Sequence, residues 1–286
     1  MISIFARRAF LNTNPSNEFV SKEESYKGYG HLQRVSSIIR ADQIAEAIGA
    51  RLNPTEGYEN DVCIYIKPHI KNGMDFKFEG RKAYLDIIDG HTLGQLALKH
   101  PEVGVIACSK SDYEIMKKSV PNEVIFIPQH HCNFERLKRT RTEIKKIGII
   151  GEENAFDYLP EKMESELKAK KIELVKFSKF FSRQDIIDFY MSIDLQLVWR
   201  PYKKRLSNPL KIVNAMSFGI PTIALDEPAF KEVSGCYMPV TSFPGFLAHL
   251  QVIIGNPNIY NAFSKRCIEK AEEYHIEKVA QMYKKL

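Results

Sequence analysis

No run of apolar residues in this chain approaches the ~18 that a membrane-spanning helix needs. The first residues also lack the basic, apolar and small-residue succession of a secretory signal; Met1 to Ala6 is too short for one and reads as an opening strand. Paired cysteines are missing as well. The five cysteines, at 63, 108, 132, 236 and 267, are scattered, odd in number and without a CxxC pair. That argues against a disulfide framework and a zinc site, and fits reduced thiols in the cytoplasm. Beyond an alternation of strands and helices there is no internal repeat, and no low-complexity tract. The formal net charge of +6 is modest. It permits anionic ligands, lipid head groups or nucleic acid without demanding any of them.

What is present is enough apolar material, 44% of 286 residues, for two buried cores. Strand-like runs at 2–5, 62–66, 82–88, 102–108 and 124–127 alternate with helical periodicity at 32–39, 44–48 and 109–116. A basic, apolar-poor segment follows, and a second series then opens at Ile147, with strands at 147–150, 172–177 and 194–199 among helices. The alternation predicts an α/β protein of two Rossmann-like, doubly wound parallel sheets. The expected organisation is an N-terminal domain over 1–133, a basic linker over 134–146 and a C-terminal domain over 147–286.

One stretch, 207–225, can be parsed almost residue by residue. Asn208 is a good N-cap and Pro209 suits the first helical position, where its missing N–H costs nothing. Gly219 supplies the stop, Pro221 prevents continuation, and Ile220 to Leu225 reads as a buried strand. Lys211 and Asn214, three apart, share one side of the predicted helix. A cation and an amide near a helix N-terminus form a grip for a phosphorylated ligand; the plain alternative is a solvated face.

This stretch, Asn208 to Ala224, resembles the donor-site signature of GT-B glycosyltransferases, especially the large retaining family that uses nucleotide sugars (glycosyl transferases group 1). Asp226 to Glu232 is similar to the family's "D-x-P-x-x-x-E" turn, and 182–199 to its helix, Tyr and Asp-led strand. Val124 to Pro128 and Val105 to Ser109 resemble strands of the first domain. His275 to Tyr283 resembles the terminal helix that crosses back onto domain one. The likeness covers most of 100–286. The chain departs from the pattern at Asn214 and Leu206, where the family carries acids, and around Gly151 to Asn154, which lacks the family's Arg/Lys pair.

The resemblance implies two domains facing each other across a cleft and transfer of a sugar from a UDP- or GDP-sugar, metal-independent and retaining, to a saccharide or lipid-linked acceptor. It requires no cofactor beyond that co-substrate. Donor-binding candidates are Gly151, Arg200, Lys204, Ser207, Asn208, Pro209, Leu210, Lys211 and Asn214, because a departing diphosphate needs cations and backbone N–H groups. His91 and Asp89, after a predicted strand, are the catalytic candidates, with Asp86 a second carboxylate able to act as base. Gly28, Gly30 and His31 form a candidate loop for acceptor or donor sugar. His130, His131 and Cys132 look metal-like but lack partner spacing, so no metal site is expected. Two alternatives stay open: the basic linker suits a nucleic-acid acceptor, and the departures suit a GT-B-like binding protein without catalysis. The basic surface also suits peripheral membrane contact.

Overall fold

The computed structural model describes residues 1–6, 35–68, 76–88, 90, 93–178, 182–201 and 206–286. The described residues form two compact units, each built on one parallel sheet. The first unit holds β1 (Ile2–Ala6), β2 (Arg51–Leu52), β3 (Val62–Ile66), β4 (Lys82–Asp86), β5 (Gly104–Ala107) and β6 (Val124–Phe126), in the order β2-β1-β3-β4-β5-β6. Its helices are α1, a run from a short turn at Val35–Ser37 through a π turn at Ile38–Asp42 to Gln43–Ile48, then α2 (Leu93–Lys99) and α3 (Lys110–Ser119). The two separate helices expected at 32–39 and 44–48 are therefore continuous from residue 35. The Gln43 N–H reaches back to the Ile38 carbonyl and carries the helix through the junction.

The second unit holds β7 (Lys146–Ile150), β8 (Glu173–Phe177), β9 (Leu195–Val198), β10 (Thr222–Leu225) and β11 (Met238–Val240), in the order β11-β10-β9-β7-β8. Helices α4 (Met163–Ala169), α5 (Arg183–Ser192), α6 (Leu210–Ser217), α7 (Phe243–Ile254) and α8 (Pro257–Ala271) cover its faces. Ile147, Ile149, Leu195, Leu197 and Ile223 point to one face, where Leu167 of α4 and Phe246 and Leu250 of α7 meet them. Val198 and Ala224 point to the other, against Ile212, Val213 and Met216 of α6 and Cys267 of α8. β11 escaped the sequence reading because Pro239 interrupts it; proline is tolerated there because the strand lies at the sheet edge.

Residues 206–208 and Ile276–Leu286 group with the first unit, and 131–146 with the second. The final helix α9 (Ile276–Tyr283) places Val279 and Tyr283 in the core of β1, β3 and β4. The segment expected as a separate basic linker is fastened down instead. Arg139, nearly fully buried, pairs with Asp194, whose carboxylate also accepts the backbone N–H groups of Lys145 (2.6 Å) and Lys146 (2.7 Å). Other charges of the segment also pair: Arg136 with Glu272, Arg141 with Asp194, Lys145 with Glu143 and Lys146 with Glu173. Among the described residues no helix is long and apolar enough to cross a membrane.

A buried carboxylate in the first unit gives a pH prediction. Burial alone would raise the Asp61 carboxyl, but hydrogen bonds from Ser3 Oγ (2.6 Å) and from Arg51 outweigh it and hold the group below its usual range. A depressed carboxylate stabilises the fold above its unfolded value of about 3.9, and that contribution disappears as pH falls through the lower, folded value. The Asp61→Asn variant should therefore melt well below the wild type at pH 7. The gap should narrow as both are titrated from the unfolded value of about 3.9 down through the lower, folded one, as thermal melts across that range would show.

Candidate functional site

Counted from its own first strand, the second sheet runs 2-1-3-4-5, so the strand order reverses between β7 and β9. In such sheets the crevice outside the carboxyl ends of the two strands is where ligands bind. Two of the predicted site residues meet there. Gly151 follows β7 directly, and Lys211 lies in the first turn of α6, the helix after β9. A methyl group added at Gly151 would stand 3.2 Å from Lys211 Nζ and 3.3 Å from Ala155 Cβ. A side chain here would press on the ammonium and make it shift by a few tenths of an ångström.

Local sequence explains why α6 stands where it does. Its C-terminus closes with Gly219 at φ +74°, the Gly219 N–H on the Met216 carbonyl (2.9 Å) and the Ile220 N–H on the Ala215 carbonyl (3.0 Å). This is a Schellman motif, which needs a left-handed residue that glycine adopts without strain. At the other end the helix begins one residue later than its sequence suggests. Pro209 occupies the cap and accepts from the Val213 N–H (2.9 Å), with no side-chain hydrogen bond at the cap. Asn208 thus precedes the cap, and Leu210 is the first helical residue. Ile212, Val213 and Met216 are buried beneath, while Lys211 stays exposed.

The other expected donor residues are distributed differently. Arg200, just past β9, forms a two-pronged ion pair with Glu227 beyond β10, its Nε 2.8 Å from Oε1. Asn214 is buried one turn below Lys211, and its Oδ1 accepts the Cys132 N–H (2.9 Å). The Ser207 N–H donates to Asp112 Oδ1 (3.1 Å), a fully buried carboxylate whose own N–H is capped by Ser109 Oγ (3.0 Å). Leu206, which stands where the resembled family carries an acid, is 3% exposed in an apolar cluster with Leu85, Leu93 and Val105. Gly28, Gly30, His31, Asp89, His91 and Lys204 lie outside the described residues.

Asp86 is described, and it is committed elsewhere. It is fully buried at the end of β4, 2.6 Å from Arg40 Nε, and it also accepts from the Ile88 N–H (3.3 Å) and the Tyr283 hydroxyl (3.4 Å). A carboxylate so enclosed holds α1 and α9 to the sheet and has no route to a substrate proton. The three residues 130–132 each make a backbone contact: His130 Nε2 with the Ile39 carbonyl (2.9 Å), His131 Nδ1 with the Asn133 N–H (3.2 Å), and Cys132 as above. Burial pushes the Cys132 thiol up to about 12, so it stays protonated.

Sequence reasoning did not name Glu227, Asp112 or Tyr190 as participants. Glu227 lies in the Asp226–Glu232 turn, but its partner Arg200 is 27 residues away and nothing local announces the pair. The two acids bounding that turn serve tyrosines: Asp226 Oδ1 accepts from the Tyr237 hydroxyl (2.6 Å) and Glu232 Oε1 from the Tyr274 hydroxyl (3.3 Å). Asp112 carried a signal in Ser109-x-x-Asp112, a helix-start pattern whose carboxylate turned outward to a second segment.

Chemically, the Gly151–Lys211 corner unites a lysine ammonium, a helix N-terminus with its partial positive charge, and a turn without a side chain. Such a set suits an anionic group. No protein-family model and no curated protein matches the sequence. Solved structures do match, at low identity. WaaG, a glycosyltransferase involved in lipopolysaccharide biosynthesis, aligns at TM-score 0.57 and 11% identity over 99% of this chain and 98% of its own. Anabaena HepE in complex with UDP and glucose aligns at 0.58 and 11%, over 90% and 83%. A variant of S. aureus TarM, in complex with Fondaparinux, alpha-GlcNAc-glycerol and UDP, aligns at 0.57 and 13%, over 81% of this chain. This chain spans about half the length of TarM, 52% in that alignment. The fold is the two-sheet α/β fold of these GT-B structures.

Proposed function

We propose that this chain is a glycosyltransferase that takes a nucleotide sugar and passes its sugar to a saccharide or lipid-linked acceptor. The observation that carries the reading is the placement of Lys211 Nζ against Gly151 at the switch point between β7 and β9. Lys211 and the N-terminus of α6 would neutralise the diphosphate as its bond to the anomeric carbon breaks, where a fixed charge lowers the barrier most. No metal is assigned a part, and retention at the anomeric carbon is the outcome the sequence resemblance implies. The UDP present in the HepE and TarM structures supports a uridine nucleotide as the first donor to try. Arg200 contributes through Glu227, which holds it at the end of β9.

The basic segment 134–146 motivated a nucleic-acid acceptor, and its ion pairs weaken that motive. A second reading, a nucleotide-binding protein without transfer, is favoured by the apolar setting of Leu206 and the inward commitment of Asn214.

The test is thermal unfolding with UDP, GDP and ADP. One of them should raise the melting temperature, since a ligand at about a hundred times its Kd adds about 2.7 kcal/mol. If none does, the donor-site reading fails. Stabilisation together with turnover of the matching nucleotide sugar supports the enzyme. Stabilisation with neither hydrolysis nor transfer favours the binding protein.

The glycine offers a sharper check. Gly151→Val forces methyl groups onto the Lys211 ammonium, so nucleotide affinity measured by calorimetry should fall while far-UV dichroism stays that of the wild type.

A further inference from the structure

The carboxyl edge of the second sheet continues past the Gly151–Lys211 corner. Beyond β9 and β10 the chain runs on to Arg200 and to Asp226–Glu227, and the Arg200–Glu227 ion pair sets these two extensions side by side. Asp226 still follows the sheet, its N–H on the Val240 carbonyl (3.1 Å). Strand alternation turns it to the same face as Ala224, the face that α6 covers. From the core on that face the Tyr237 hydroxyl meets Asp226 Oδ1 at 2.6 Å. Tyr237 is buried and Asp226 is exposed. Among the described residues Tyr237 is the carboxylate's one hydrogen-bond partner, so its remaining acceptor capacity is open to a ligand.

Lys211 and Asp226 bracket the end of β9 with opposite charges. Lys211 closes the side toward β7, and the Tyr190 hydroxyl steadies its turn by donating to the Lys211 carbonyl (3.3 Å). Asp226 ends β10, one strand spacing of about 4.8 Å from β9 and two from β7. Between them the charge of Arg200 is matched by Glu227. A nucleotide sugar carries its charge on the diphosphate and its hydroxyl groups on the sugar. A carboxylate repels phosphates and accepts from hydroxyls, so this edge sorts the two parts. The diphosphate belongs at Lys211 and the sugar toward β10.

We infer that Asp226 is a specificity-determining residue that accepts hydrogen bonds from the hydroxyl groups of the donor sugar, held for this by Tyr237. The inference rests on the donor-site reading above and adds the direction in which the donor lies. Glu153, an exposed acid just after Gly151, reaches Ser178 beyond β8 (3.5 Å) instead and serves as the control.

The test is calorimetry without acceptor, comparing UDP with UDP-glucose, UDP-galactose and UDP-N-acetylglucosamine, with melting temperatures alongside. GDP with GDP-mannose, or ADP with ADP-glucose, serves in the same way if the chain prefers that base. Asp226→Ala should weaken the sugar nucleotides about tenfold to a hundredfold, the range for losing a hydrogen bond to a charged group. UDP itself should bind as it does to the wild type or slightly tighter, because a like charge near its phosphates is gone. Asp226→Asn keeps a carbonyl acceptor and should fall between the two. Tyr237→Phe leaves the carboxylate without its tether, and should weaken the sugar nucleotides about threefold to tenfold with UDP unchanged. Glu153→Gln should bind both kinds of ligand as the wild type does.

A packing role for Asp226 would lower the melting temperature and weaken UDP and its sugars equally, which overturns the assignment. Unchanged affinity for the sugar nucleotides in Asp226→Ala overturns it too, as does a wild type that binds the nucleotide but none of its sugars. Both of those outcomes leave the donor site standing. A sugar-specific loss in Glu153→Gln alone would place the sugar on the β8 side and overturn the assignment as well. No nucleotide binding by the wild type overturns the donor site and this assignment with it.

Discussion

Lys211→Ala should weaken binding of the preferred nucleotide by about tenfold to a hundredfold, the range for losing one charge-assisted hydrogen bond of about 1.5–3 kcal/mol. Stability should hardly change. The side chain is exposed at the first turn of α6, and the helix is anchored by Ile212, Val213 and Met216 below it. Lys211→Arg keeps the charge but brings a larger planar group to a corner where a single methyl on Gly151 already stands 3.2 Å from the ammonium. Its affinity should fall between the other two. Calorimetric titration with UDP and GDP checks both variants, and an alanine variant that binds like the wild type would place the phosphate elsewhere.

The largest effect on stability is expected at Asp194. This carboxylate is about 5% exposed and holds Arg139 together with two backbone N–H groups at the start of β7. Arg139 is about 2% exposed, so removing its partner strands a charge in the interior. Breaking such a pair costs about 3–5 kcal/mol, against a total folding stability of about 5–15. Asp194→Ala should therefore lose much of its soluble yield. Asp194→Asn retains an acceptor for the Lys145 and Lys146 N–H groups and gives a variant that can be measured in urea. Adding Arg139→Met to it should recover part of the loss, because the stranded guanidinium is gone. If the double variant is no better than Asp194→Asn alone, the cost lies in the backbone bonds and not in the buried charge.

The architecture was legible because it rests on local signals. Buried parallel strands read as continuous apolar runs, such as Val62 to Ile66, and the stop at Gly219 and Pro221 is written in two residues. Lys211 was legible for the same reason, being fixed by a helix whose ends are marked. What was hidden depends on pairs far apart in the chain. Arg200 read as a cation until Glu227 was found beside it. The basic run at 134–146 read as a free surface, yet Arg139 is buried and the run pairs with acids from three other segments, Glu173, Asp194 and Glu272. Leu206 and Asn214 read as gaps in an acidic pattern. In the structure one fills an apolar core and the other accepts the backbone N–H of Cys132, roles that only partners 101 to 121 residues distant from Leu206 and 82 from Asn214 reveal.

The grouping of Ile276–Leu286 with the first unit bears on how the protein is made. Tyr283 and Val279 complete the core built by β1, β3 and β4, and the Tyr283 hydroxyl reaches the Arg40–Asp86 pair. Domains ordinarily fold as units in the order they leave the ribosome, at about 5–20 residues per second. Here the unit synthesised first cannot close its core until residues 276–286 have emerged, many seconds later, whereas the second unit has all of its strands by Val240. Nascent chains halted before residue 276 should expose the buried Arg40–Asp86 pair and attract chaperones. A gene cut between the two sheets would yield a first half permanently short of its last helix.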